Sequence, residues 1–211
     1  MKAINKDILR EISKTKSKFI SIMIIMFLGV FIFVGLKETS PAMVNTYNKY
    51  IERHKMYDLR VSHSFGINEE DMKIINALDN IDLSESYFIK KLQVINSNDF
   101  VNIESLPQKL VLPKVTEGTL PTNDEEISLV ESLQSRYKIG DKISFVSDKS
   151  ESNILKQYKF KVVGFVQGAD HIEVSNNNLA NKDYFGYVKR DVFKFENVSG
   201  VNIKLKNINY K

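Results

Sequence analysis

Phe19–Leu36, FISIMIIMFLGVFIFVGL, contains no Asp, Glu, Lys, Arg, Asn, Gln or His. As an α-helix rising about 1.5 Å per residue, a stretch of this length covers roughly 27 Å, close to the ~30 Å hydrocarbon thickness of a bilayer. Thirteen of its residues are Ile, Phe, Leu or Val. Each contributes about −0.3 to −0.6 kcal/mol at mid-membrane, so insertion is favoured by several kcal/mol. A buried core helix would show a polar side, and this stretch is apolar all round. A signal peptide has a shorter apolar run and small residues at the cut, whereas this one ends Gly35-Leu36-Lys37-Glu38. The expectation is a retained transmembrane helix over 19–36, with Phe19, Ile25, Leu28, Phe33 and Leu36 among its membrane-spanning residues.

The flanks orient it. Lys6, Arg10, Lys14, Lys16 and Lys18 fall in the fifteen residues before the stretch, against Lys37 and Lys49 in the fifteen after it. The positive-inside tendency therefore puts the N-terminus in the cytoplasm. Nothing after Leu36 is apolar enough for a second span, so the expectation is a single-pass protein of the cell membrane with an extracytoplasmic body.

Charge distribution narrows the function. The net charge of +4 resides wholly in residues 1–18, and residues 41–211 hold 23 basic and 23 acidic groups. A neutral body lacks the basic stripe that follows a phosphate backbone, so nucleic acid is not an expected partner. There is no cysteine, which excludes disulfides and thiol chemistry.

Read in order, residues 1–18 form a basic segment. Ile4, Ile8 and Ile12 make one stripe and Lys2, Lys6, Arg10 and Lys14 another, roughly opposite. This pattern predicts a helix on the cytoplasmic membrane surface, the alternative being an unstructured head that fixes topology. Residues 37–56 read as a stalk or linker interrupted by Pro41, though 42–56 can continue as helix. Tyr57–Ser64 alternates and predicts a strand. Asn68 is a natural N-cap for a helix with Glu69, Glu70 and Asp71 in its first turn, an Ile67–Met72 staple, and Met72, Ile75 and Leu78 on one face. Further strands are expected at 87–95, 100–103, 109–112, 127–130, 142–146, 158–166, 185–188 and 201–205, with a turn-rich passage around Gly118 and Pro121 and a bulge at Gly164. The fold class is α+β: one N-terminal transmembrane helix followed by a mixed, strand-rich domain over 57–211, in one or two lobes.

This order of parts is similar to the start of FtsX-like, MacB-type ABC transporter permeases. The resemblance is carried by a basic head, a first span, YDLRVSHSFGINEEDMKII, and then EGTLPTNDEEISL, KIGDKISF and FKVVGFV. Family passages of the form Gly-x-x-Pro, Glu-Ile, Gly-Asp and Val-Val-Gly correspond to Gly118 with Pro121, Glu126 with Ile127, Gly140 with Asp141, and Val162-Val163-Gly164. The resemblance implies that 57–211 is a MacB-like extracytoplasmic domain, with those residues in structural roles. It also implies a chain that is the N-terminal part of a permease, working with a separate ATP-binding subunit and further permease helices. ATP-driven movement of the helices would then act on a peptide, lipid or protein partner outside. The alternative is a stand-alone, single-span protein whose outer domain binds a ligand or scaffolds an assembly.

Catalytic patterns are sparse. There is no Gly-x-x-x-x-Gly-Lys-Ser/Thr loop and no Gly-x-Ser-x-Gly elbow, and His54, His63 and His171 are scattered. Asp170-His171-Ile172-Glu173 is the best local cluster for metal or acid–base work, and a polar loop is the plainer reading. No cofactor and no enzymatic activity are expected. Tyr184, Phe185, Tyr187, Phe193 and Phe195 read as sheet core rather than as a partner-binding patch. Asn197-Val198-Ser199 matches a glycosylation acceptor.

Overall fold

The apolar stretch lies within one long helix, α1 (Lys16–His54), in a computed structural model that describes residues 7, 10, 14–147, 154–171, 184–194 and 197–206. Most of the basic head, including its Ile4, Ile8 and Ile12 stripe, lies outside the described residues. Pro41 removes one N–H from the ladder without ending α1. On either side of it Thr39 Oγ1 donates to Gly35 O at 2.6 Å and Thr46 Oγ1 to Ala42 O at 2.8 Å, as helical threonines do when they bond one turn back. The helix stops at His54 because Lys55 takes a left-handed conformation, φ 49°. By packing, the chain divides into two compact units, Met1–Ile51 and Glu52–Lys211.

The second unit is α+β. Its strands are β1 (Leu59–Ile67), β2 (Ile81–Tyr87), β3 (Ile89–Gln93), β4 (Phe100–Ser105), β5 (Lys114–Gly118), β6 (Glu126–Val130), β7 (Lys142–Ser144), β8 (Lys159–Gln167), β9 (Tyr184–Val188) and β10 (Val198–Leu205). A small antiparallel sheet has the order β1-β10-β2. A larger one has the order β3-β4-β9-β6-β8-β5, with β7 also paired to β8. In it the pairs β4–β9 and β6–β8 run parallel and the rest antiparallel.

Helix α2 (Glu69–Asn76) forms where Asn68 predicts it. The Asn68 side chain accepts from Asp71 N at 2.8 Å and Asp71 Oδ2 accepts from Asn68 N at 3.3 Å, a closed capping box. Met72 and Ile75 pack against the core, but Leu78 lies beyond the helix end and is exposed, so it does not extend that face.

Three strand expectations change. The 87–95 run is two strands in two sheets, hinged at buried Phe88, whose N–H donates to Ser105 Oγ and whose ring stacks on Phe193 at 5.1 Å. Alternation continues across the hinge, so the pattern hides it. Residues 109–112 are not a strand. The Glu85 carboxylate gathers the N–H groups of Gln108, Lys109 and Leu110 at 2.7, 3.0 and 2.6 Å, and Val111 adopts φ 58°. Val111 N then donates to Lys55 O, Leu112 N donates to His54 O, and His54 Nδ1 donates to Leu112 O at 2.7 Å. A left-handed conformation for a β-branched residue costs about 1–3 kcal/mol, and these bonds hold it in place. Finally, β2 and β5 lie in stretches whose polar composition gave no strand signal.

Candidate functional site

On α1 every residue of the membrane-spanning reading is exposed: Phe19, Ile25, Leu28, Phe33 and Leu36 all point away from other protein atoms. The helix is long and apolar enough to cross a membrane, with mean hydropathy 2.9 over its best window. Leaving such side chains in water forgoes roughly 1.5–3 kcal/mol each, so this surface requires an apolar surrounding.

The motif residues of the second unit meet on β8. Gly118 ends β5 at φ +74°, opposite Gly164 of β8. A Cβ on Gly118 would lie 2.3 Å from Val163 O, and one on Gly164 would lie 2.3 Å from Thr119 O. Only glycine permits so close a crossing of two backbones. Beside it Ser128 Oγ donates to Thr119 O at 2.8 Å, and the β6–β8 register skips a residue between Val162 and Gly164, the bulge expected there. Pro121 is buried in the connection that follows, and Glu126 closes that connection by accepting from Thr122 N, Thr122 Oγ1 and Asn123 Nδ2 at 2.7–2.9 Å. Those bonds, led by the Thr122 N–H, hold the Glu126 carboxyl below its ordinary pKa. Gly140, φ +99°, donates its N–H to Val162 O, and Val162 N returns a bond to Asp141 O, while Asp141 Oδ2 accepts from Lys138 N. Residues scattered over some forty-five positions of sequence thus brace one strand.

A second constellation joins the two sheets. Arg60 of β1 donates through Nε to Asn202 Oδ1 of β10 at 2.8 Å and through Nη2 to Asp170 Oδ2 at 2.5 Å. Its guanidinium lies between the rings of Tyr57 and Tyr87, 4.5 and 4.9 Å from their centroids. His171 follows Asp170, stacks on Phe185 of β9 at 4.1 Å, and places Nε2 3.1 Å from Glu104 Oε1 of β4. That oxygen is buried and has no aligned hydrogen-bond donor. Burial lowers the His171 pKa, but Glu104 and then Asp170 outweigh it, so the imidazole holds its proton above the ordinary 6.5. Burial pushes the Tyr87 and Tyr187 phenols up, keeping both neutral.

The Asp170-His171 pair therefore sits within an inter-sheet charge cluster, while Ile172 and Glu173 lie outside the described residues. Among the described residues, no three His, Asp or Glu side chains group to hold a metal ion. The aromatic segment resolves mainly to core: Phe185, Tyr187 and Phe193 are buried, Tyr184 is half-buried, and Phe195 lies outside the described residues. Asn197 Nδ2 is engaged with Phe65 O at 3.2 Å. An open cleft of about 420 Å³ is lined by Met72, Phe88 and Arg190, and Arg190 already donates to Ser86 O and Oγ. Arg60 was the functional residue least visible in the sequence. Alternation puts it on the face opposite Tyr57, Leu59 and Val61, where it reads as an ordinary solvated arginine.

No family model matches the chain, and no curated protein matches it. Among solved structures it is similar to the extracellular domain of YknZ, a noncanonic ABC-type transporter from Gram-positive bacteria, at 11% identity. The match covers 70% of this chain and 77% of that one, with a TM-score of 0.47. A likeness of that degree assigns neither activity nor partner to this chain.

Proposed function

We propose that the chain is the membrane-anchored N-terminal part of an FtsX-like, MacB-type ABC permease, with α1 crossing the bilayer from a cytoplasmic N-terminus. In this reading Glu52–Lys211 is the outer domain, which couples helix movement, driven by a separate ATP-binding subunit, to a partner outside. The observation that supports it best is the convergence of the Gly-x-x-Pro, Glu-Ile, Gly-Asp and Val-Val-Gly passages on β8, where they act as one brace. In this reading the chain serves as a mechanical part rather than a catalyst, which the engagement of Arg60, Asp170, His171 and Glu104 in ion pairs and hydrogen bonds supports.

The sequence has no cysteine, so a single Ser62→Cys on exposed β1 is a clean topological reporter. A membrane-impermeant maleimide should label it on intact cells, and the protein should co-purify with an ATP-binding subunit encoded beside it. Labelling without any such ATPase would favour the stand-alone anchored module instead. Absence of labelling until the cells are lysed would overturn the orientation.

A further inference from the structure

The small sheet and the large sheet meet through a cluster whose charges do not balance when every histidine is neutral. Arg60 comes from β1 and pairs with Asp170 after β8, and beside that pair Glu104 of β4 faces His171, so the cluster holds two carboxylates and one guanidinium. Asn202 of β10, the rings of Tyr57 and Phe185, and the phenols of Tyr87 of β2 and Tyr187 of β9, both pushed up by burial, complete its walls. The remaining titratable member is His171. Its ring is held between Phe185 and Gly168, where even a Cβ would lie 2.7 Å from His171 Cδ2.

We propose that this junction is a pH-sensitive joint between the two sheets, closed when His171 carries a proton and loosened when it does not. Protonated, His171 supplies the second positive charge and faces both Glu104, at 3.1 Å, and Asp170, at 3.9 Å. Deprotonated, it leaves two carboxylates against one guanidinium, with a buried Glu104 oxygen that no donor is aligned to satisfy. The arrangement is a joint rather than an ordinary buried pair because its members come from both sheets: β1, β2 and β10 on one side, β4 and β9 on the other.

The sign follows from the direction of the shift. His171 binds its proton more tightly folded than unfolded, so its contribution is complete below about pH 6.5 and disappears as pH rises through the folded-state value. The joint therefore stiffens toward mildly acidic pH and slackens toward alkaline pH.

The test uses the full chain in detergent, with spin labels on Ser62→Cys of β1 and Lys114→Cys of β5, both exposed and on different sheets. The distance distribution is read at about pH 5.5 and about pH 8.5, on either side of the histidine range. It should be narrow at the lower pH and broad at the higher. His171→Gln fixes the unbalanced state and should be broad at both. Glu104→Gln balances the cluster with a neutral imidazole and should be narrow at both. A wild-type distribution that does not change with pH, or a Glu104→Gln protein that keeps the wild-type response, would overturn the joint. If His171→Gln fails to fold, the Glu104→Gln comparison alone decides.

Discussion

Two segments rich in Ile, Phe, Leu and Val have opposite fates: α1 over 19–36 and β8. In α1 the thirteen Ile, Phe, Leu and Val residues of 19–36 are each 49–71% exposed, whereas in β8 Phe160, Val162, Phe165 and Val166 are at most 1% exposed. The difference lies in arrangement. β8 pairs with β6, β5 and β7 in one sheet, its apolar side chains enter the shared core, and Lys159, Lys161 and Gln167 mark its exposed positions. In α1 apolar side chains project all round, and no sheet can cover every side of a rod. Core strands find their apolar surroundings within the chain; α1 must find its own in lipid.

The largest effect should come from charging that rod. Replacing Ile25 and Leu28 together with Arg exchanges two favourable residues for two that cost about 2.5–3.5 kcal/mol each, a swing of roughly 6–8 kcal/mol that matches the whole insertion term. Alkaline carbonate should then extract the variant while leaving wild type in the pellet; retention in the pellet would erase the contrast with β8. The counterpart in the second unit is Gly164→Ala. With a Cβ 2.3 Å from Thr119 O, the β5–β8 crossing must open, at about 3 kcal/mol, a loss of several degrees or more in thermal unfolding while membrane association stays intact. A smaller effect is expected from Glu85→Ala, which strips the acceptor from three backbone N–H groups and should cost about 1–2 kcal/mol in denaturant unfolding. Smallest is Asn68→Ala, which removes one half of the α2 capping box for about 1 kcal/mol. Equal losses from Gly164→Ala and Asn68→Ala would mean that β8 is not the brace.

The same contrast explains what could be read from the residues alone. Both the apolar rod and the capped helix announce themselves locally: an unbroken hydrophobic run in one case, Asn68 followed by Asp71 in the other. Strands with strong alternation, such as β8 and β10, were equally plain. The failures occur where a distant partner decides. Residues 109–112 have strand-like composition, yet Glu85, some twenty-five positions earlier, captures their N–H groups and forbids a ladder. Phe88 turns the chain between sheets because Ser105 and Phe193 receive it, and neither is its neighbour in sequence. The Asp170–His171 pair stands out as a local cluster, but its partners Arg60 and Glu104 lie far away along the chain, and spacing does not assign them.

The central strand of the small sheet sets a schedule for biogenesis. β1 and β2 both hydrogen-bond to β10, with Leu59 opposite Ile203 and Tyr87 opposite Gly200. During synthesis these two early ribbons have no β10 until more than a hundred further residues have followed. During that interval they present bare backbone to any neighbour, which is the condition under which nascent chains aggregate or recruit chaperones. The last strand therefore acts as a keystone: the arch at the start of the domain cannot close until the far end arrives, and any stall in synthesis before Val198 leaves it open.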